Sequence, residues 1–394
     1  MQNKVYFLID PILKGSRLQL TYYFIESLHP SAEAIYLFTR VNYRDKHFDE
    51  LINQKYPKLI IIETVDIKDA WIRSIKPNEF KSIAKAIVEQ HKLIAAQRNV
   101  TVFFTAIDDY YFSLYLYINW LKSEMACRFV YLRYRINFMI AAPASAKEKV
   151  KNKLQKILLK HICKKPDLLL IMDERAMNKP EIFNFCDVDF LPEPWEGTFG
   201  QNSREQSRLV MNLPVDDFVF LTIGKQNKRK GLLDILKALD YDKDILTRSK
   251  FLIVGKIEDE ILQEATTLIG RLGENVIQVN RFIDEMDLPY YYDGSDCILL
   301  PYSLDFQFTS GVLTRAAASN IPVITTNHGV VGHRVLANKL GTTYKSSDFV
   351  KLSALLKEMI ESNRTIKANQ NKNNPDIWNG RIDNFKQTFK NIIG

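Results

Sequence analysis

Short apolar runs alternate with longer amphipathic stretches from one end of the chain to the other. In the first half the runs are Val5–Ile9, Ile35–Phe38, Leu59–Ile62, Val100–Thr105, Phe129–Leu132 and Asp167–Met172, and between them lie segments with helical spacing such as Phe80–Ala96 and Val150–Ile162. The second half repeats the rhythm at Phe218–Ile223, Phe251–Val254, Val276–Val279, Cys297–Leu300 and Pro322–Thr325. Strands alternating with helices predict parallel sheets covered on both faces. The expected fold class is therefore α/β, with two doubly wound, Rossmann-like domains facing each other across a cleft. The seam falls in Leu191–Ser207, which is rich in Pro, Gly and polar residues and has no periodicity. This divides the chain into 1–195 and 196–376. Residues 377–394 read as a helix that follows a polar break at 367–375 and packs back on the first domain.

Length and composition agree with two cores. The chain has 394 residues, 46% hydrophobic and 25% charged, and a domain takes ~100–200 residues. Its start, MQNKVYFLIDPILKG, reads as a first strand and not as a signal peptide. No apolar run reaches the ~18–20 residues that a membrane span needs. Cys127, Cys163, Cys186 and Cys297 are scattered without CxxC spacing and read as reduced core thiols of a cytoplasmic protein. The net charge of +8 favours an anionic partner: nucleotide, phosphate, acidic lipid or nucleic acid.

In doubly wound sheets ligands sit at the C-terminal ends of strands, so the loops there are the candidate sites. The turn Thr222–Gly231, TIGKQNKRKG, carries Lys225, Lys228, Arg229 and Lys230 immediately before a helix. It reads as a diphosphate clamp, since lysine meets phosphate as a point charge, or as a solvated basic turn. After Cys297–Leu300 a loop of small and polar residues opens a short helix at Thr309, Ser310, Gly311 and Val312, slimmed by Ala316–Ala318. A helix start presents unpaired N–H groups to an anion; the alternative is tight packing of a Gly–Ala helix. A further strand at Ile321–Thr325 leads into a Gly-containing loop at Gly329–Gly332. Phe282, after Val276–Val279, faces a nucleobase or else belongs to the core. In the first domain Gly15 lets the turn after the first strand approach a ligand. Asp108 and Asp109 follow the strand Val100–Thr105, as a catalytic carboxylate or as a helix N-cap. There is no GxGxxG after the first strand, no Walker lysine loop and no HExxH. The triplet Asp187–Val188–Asp189 matches a metal-binding DxD only by its three letters. The segment Ser145–Lys165 has eight lysines against one Glu, with Val150, Leu154, Ile157, Leu158 and Ile162 on one apolar face. That face either covers the sheet or rests on an anionic membrane.

From Phe218 to Tyr344 the chain resembles the GT-B glycosyltransferases, especially the family-four-like retaining enzymes. The family's G-x5-KG pattern is present as Gly224, Lys230 and Gly231, with Lys225 where an Arg is usual. SDCILLP, a short helix and NIPVITT match its donor-site run. The first domain matches only in rhythm and at Gly15. Two positions depart. The resemblance implies glutamates at 307 and 315, one for the donor sugar and one for the ribose hydroxyls, and this chain has Gln307 and Arg315. Gln307 still donates and accepts; Arg315 accepts nothing but can bind phosphate. The family's first-domain histidine is also missing, with Asp108 or Asp109 near its place.

The resemblance implies transfer of a hexose, with retention, from a nucleotide-sugar donor to a glycan or lipid-linked acceptor in cell-surface polysaccharide synthesis. It implies Asp108, Asp109 and Gln307 as catalytic candidates. Gly15, Gly224, Lys225, Lys230, Phe282, Thr309, Ser310, Gly311, Val312 and Arg315 are the donor-binding set. No metal or other cofactor is expected, because cations and a helix N-terminus would neutralise the leaving diphosphate. No nucleic-acid partner is expected. The expected location is cytoplasmic, with peripheral contact at the inner membrane face as its extension. The alternatives are a nucleotide-sugar epimerase of the same fold, and a non-catalytic binding subunit motivated by Gln307 and Arg315.

Overall fold

The structure, a computed structural model, describes residues 4–13, 16–40, 55–65, 75–94, 99–141, 145–366 and 380–393. The chain forms two compact units: Met1–Pro194 with Ile382–Gly394, and Trp195–Arg381.

The first unit is built on β1 (Lys4–Ile9), β2 (Ala34–Arg40), β3 (Leu59–Val65), β4 (Asn99–Phe104), β5 (Arg128–Arg133), β6 (Leu168–Ile171) and β7 (Asp187–Phe190). All pairings are parallel, in the order β3-β2-β1-β4-β5-β6-β7. Strand side chains alternate between faces, and in β1 Val5, Phe7 and Ile9 join one core while Tyr6 and Leu8 join the other. The first core is closed by Phe80, Ile83 and Ile87 of the helix Pro77–Ile94 and by Leu114, Ile118 and Leu121 of the helix Tyr111–Glu124. The second is closed by the helix Ser16–Leu28 and by the final helix Ile382–Ile393. Phe385, Phe389 and Ile393 recur every four residues, and the Phe389 ring lies 4.5 Å from Phe24 and 5.4 Å from Phe103. Arg128 donates to the carbonyls of Ile392 and Ile393, both at 3.1 Å, where a helix end favours a cation. The helix begins at Ile382; residues 377–379 lie outside the described residues.

The second unit contains β8 (Phe218–Ile223), β9 (Ser249–Val254), β10 (Val276–Val279), β11 (Cys297–Leu300), β12 (Val323–Thr326) and β13 (Gly341–Tyr344). They are again all parallel, in the order β10-β9-β8-β11-β12-β13. Chain order reverses between β8 and β11. That central ladder is short, Cys297↔Phe220 and Ile298↔Leu221, whereas β8 and β9 stay paired up to Ile223↔Val254. A buried ion cluster joins the two strands at their start. Asp296, just before β11, accepts from the Val219 N–H at 2.8 Å, from Arg204 Nε at 3.0 Å and from Arg208. Arg208 is fully buried and also donates to the carbonyls of Gly294, Pro214, Val215 and Asp217.

Several expectations are corrected. β7 and β13 were not among the apolar runs: both are edge strands, short and half-exposed. Asp187 and Asp189 belong to β7 and pair in register with β6. Gly329–Gly332 is not a loop but the first turn of the helix Gly329–Ala337. Leu191–Ser207 is not a bare linker, since Trp195 and Phe199 are buried in the second unit's core and the helix Arg204–Val210 begins inside it. On the helix Ala146–Ile162, Leu158 and Ile162 are buried but Val150, Leu154 and Ile157 are exposed. All four cysteines are free, three of them buried. Among the described residues no helix is long and apolar enough to cross a membrane.

The Asp296 carboxyl is held below the usual range: burial would raise it, but the Arg204 hydrogen bonds, the Arg208 charge and the Val219 N–H outweigh burial. A depressed folded pKa gives stability that is present above the unfolded value of ~3.9 and is lost as pH falls through the lower folded value. Asp296→Asn is expected to cost about 3–5 kcal/mol near neutral pH, because it leaves buried guanidinium charge unpaired. The gap from the unsubstituted chain should narrow below about pH 4. Urea unfolding of both proteins at the two pH values checks this; a pH-independent gap would refute the linkage.

Candidate functional site

β8 leads into the turn Gly224–Gly231. Gly224 has φ +103°, a conformation open to a residue without Cβ. Its N–H donates to the Val254 carbonyl at 3.0 Å and the Gly255 N–H to the Val279 carbonyl at 2.9 Å, so β8, β9 and β10 end in step. Gln226, fully buried, pins the turn. Its N–H reaches the Lys256 carbonyl (2.8 Å), its carbonyl accepts from the Glu258 N–H (2.9 Å), and its side-chain amide reaches the Gly224 carbonyl (2.9 Å).

Beyond these strand ends opens a cavity of about 390 Å³. Ile223, Val254, Ile283, Leu288 and Val312 supply apolar wall, and Lys225, Lys256, Arg281 and Arg315 bring cations. Gly224 and Gly255 keep two strand ends bare of side chain. Phe282 stands on the wall at 82% exposure and so is not a core residue. Glu285, also on the wall, accepts from Arg315 at 3.2 Å; its side chain is 66% exposed against 27% for Arg315. Arg315 thus lines the cavity and also pairs with a surface carboxylate. Lys225 pairs with Glu258 at 2.8 Å.

Lys230 is turned another way. Its ammonium donates to the Tyr302 hydroxyl at 2.9 Å, and that hydroxyl is 2.8 Å from Ser310 Oγ at the start of the helix Gly311–Ala318. A relay of three polar side chains therefore crosses from the end of β8 to the end of β11, where the sheet order reverses. Gly231 makes this approach possible. It has φ +73°, and a Cβ there would lie 1.8 Å from the Pro301 carbonyl oxygen. Gln307 sits beside the relay, its amide donating to the Leu304 carbonyl at 2.6 Å. Of the predicted donor-side residues, Gly224, Lys225, Phe282, Val312 and Arg315 share the cavity. Lys230 and Ser310 share the relay, with Thr309, Gly311 and Gln307 alongside in the same loop and helix start.

The first unit places its two candidates differently. Asp108 accepts from the N–H groups of Tyr134 (2.8 Å) and Arg135 (3.0 Å), so both oxygens hold the loop after β5. Asp109 receives Arg17 at 2.5 Å, and Arg17 also donates to Asp10 at 2.9 Å, which in turn accepts from Thr21 at 2.7 Å. Burial pushes the Asp109 carboxyl upward against the pull of Arg17. Neither aspartate caps the helix Tyr111–Glu124, which has no side-chain cap. Gly15 lies outside the described residues. The triplet Asp187–Val188–Asp189 gathers no third ligand: among the described residues no group of three or more His, Cys, Asp or Glu could hold a metal.

Sequence reasoning missed Gly255, Glu285 and Tyr302, and in the first unit Arg17 and Asp10. Val254–Gly255 repeats the strand-then-glycine signal of Ile223–Gly224 and was there to be found. Tyr302 and Glu285 carry no such signal.

Residues 203–375 match the family model for glycosyl transferases group 1. No curated protein matches the chain in sequence. Among solved structures it is similar to HepE of Anabaena in complex with UDP, at 12% identity and TM-score 0.66, covering 99% of each chain. It is similar to sucrose-phosphate synthase of Thermosynechococcus elongatus, at 16% identity and TM-score 0.65, covering 99% of this chain and 95% of that one. A third is WaaG, a glycosyltransferase involved in lipopolysaccharide biosynthesis, at 15% identity and TM-score 0.57, covering 99% of each chain. The fold is that of the GT-B glycosyltransferases.

Two substitutions separate relay from cavity. Lys230→Ala is expected to weaken nucleoside diphosphate binding by about 1.5–3 kcal/mol, the range for a hydrogen bond to a charged group. Phe282→Ala is expected to weaken it by about 1–3 kcal/mol through lost stacking on a base, and to leave binding of inorganic diphosphate unchanged. Calorimetry with both ligands checks the pair; equal affinities for wild type and variants would refute the assignment.

Proposed function

We propose that this protein transfers a hexose, with retention of anomeric configuration, from a nucleotide-sugar donor to a glycan or lipid-linked acceptor in cell-surface polysaccharide synthesis. The observation that carries the reading is the cavity at the ends of β8, β9 and β10, on the unit that matches the group 1 family. It pairs an apolar wall and an exposed aromatic ring with a cationic rim, which suits a base joined to a diphosphate. HepE is solved with UDP, with UDP and glucose, and with UDP-glucose, which makes uridine diphosphate sugars the first donors to try. The part that WaaG takes in lipopolysaccharide biosynthesis supports a cell-surface acceptor.

In this reading the bond from the anomeric carbon to the diphosphate oxygen breaks as the acceptor oxygen bonds to that carbon on the same face, and the acceptor hydroxyl's proton passes to the leaving diphosphate oxygen. Negative charge grows on the leaving diphosphate. Lys230, held by Tyr302, and the N–H groups at Ser310 and Gly311 meet that charge without a metal. Gln307 addresses sugar hydroxyls as donor and acceptor. Arg315 orients Glu285, whose exposed carboxylate takes the acceptor role that an arginine cannot fill. Asp109, not Asp108, is the first unit's candidate for an acceptor hydroxyl, because both Asp108 oxygens are occupied by backbone N–H groups.

Incubation with a panel of nucleotide sugars and mixed glycan acceptors, reading nucleoside diphosphate release, tests the proposal. Release that depends on acceptor is expected. Conversion of one nucleotide sugar into its epimer would instead indicate the epimerase, and binding without turnover a non-catalytic subunit. With a donor in hand, Gln307→Ala should lower turnover by up to about 10-fold, the scale of one lost neutral hydrogen bond, while nucleoside diphosphate affinity stays within about twofold. Arg315→Ala should reduce that affinity. The reverse pattern would refute both roles.

A further inference from the structure

We propose that the outward face of the helix Ala146–Ile162, together with Phe112 of the neighbouring helix, is a docking surface for an anionic lipid bilayer. The helix meets the first core through Leu158, Leu159 and Ile162. At ~100° per residue, Val150, Leu154 and Ile157 fall within about 60° of one another, away from Leu159 and Ile162. They are 70%, 56% and 53% exposed. A single exposed leucine is ordinary, but a stripe of three aliphatic side chains along one face is not.

The stripe continues across a neighbouring helix. His161, one turn beyond Ile157, lies 4.6 Å from the Tyr115 ring, and Tyr115 stacks on Phe112, itself exposed, at 6.3 Å. The Tyr111 hydroxyl donates to the Gln155 carbonyl at 2.5 Å and ties the two helices together. The patch is therefore fixed in shape.

Charge selects the occupant. The helix carries Lys147, Lys149, Lys151, Lys153, Lys156 and Lys160 against Glu148 alone. Lys147 flanks the stripe on one side, and Lys153 and Lys160 on the other. Lysine stems lie along apolar surface while their ammonium heads stay in water. Aliphatic side chains flanked on both sides by lysine fit the boundary between acyl chains and anionic headgroups. A nucleic acid would use the lysines and leave the aliphatic stripe in water.

Flotation of the whole protein with vesicles needs no sugar substrate and so stands or falls apart from the transferase reading. Binding is expected to phosphatidylcholine vesicles containing phosphatidylglycerol, not to phosphatidylcholine alone, and should weaken as salt shortens the screening length. Lys153→Glu with Lys160→Glu should lower binding about tenfold or more. Leu154→Ser with Ile157→Ser should do the same without changing urea unfolding, because both positions are exposed. Unchanged binding in either variant, equal binding to neutral vesicles, or no binding at low salt would overturn the proposal. So would a dimer on size exclusion that dissociates in the serine variant, since the face would then belong to a second copy of the chain.

Discussion

The second unit depends on one buried ion cluster. β8 and β11 are joined by a short ladder, and what holds them side by side at its lower end is Asp296, bonded to the Val219 N–H and two guanidinium groups. An isolated buried charge costs several kcal/mol. Here Arg208 supplies the counter-charge and gathers four carbonyls as well, so the cluster is satisfied as a whole. With that end closed, the other ends of the strands are left to diverge. The Lys230–Tyr302–Ser310 relay spans that divergence. The open end of the sheet exists because the opposite end is locked.

The two units share a strand order around their reversals and use the space differently. In the second, the β8 end opens into a cavity. In the first, the corresponding ends of β1 and β4 are filled by Asp10, Arg17 and Asp109. The same topology thus presents an open, cation-rimmed wall in one unit and, in the other, an ion network in which Asp109 keeps 21% of its side chain exposed. Fold fixes where a site can be; side chains decide whether it is open.

Most of the fold was legible because strands buried on both faces appear as continuous apolar runs, as in Phe218–Ile223. The edge strands escaped for the same reason in reverse: Asp187–Phe190 and Gly341–Tyr344 bury too little to look like strands. Gly329 misled because glycine marks a turn more often than a helix start. Position after a strand was enough to place Gly224, Lys225 and Phe282 on the wall of one cavity. Partners were not legible. Glu285 lies 30 residues from Arg315, and Arg17 lies 92 from Asp109, and no local pattern links either pair. The spacing of the basic helix fits one broad apolar face, and only packing shows that Val150, Leu154 and Ile157, three of its five members, are left uncovered.

The return of the final helix to the first unit has a consequence for how the chain is made. Phe24 and Phe103 are covered by Phe389, more than 280 residues downstream of the nearer of them. During synthesis the second unit emerges whole and can close on its own core while that aromatic surface of the first still waits. Domains otherwise tend to complete in the order in which they leave the ribosome. This chain reverses that order for one face of its first sheet, so the nascent chain keeps aromatic surface uncovered until residues 382–393 have left the ribosome and docked.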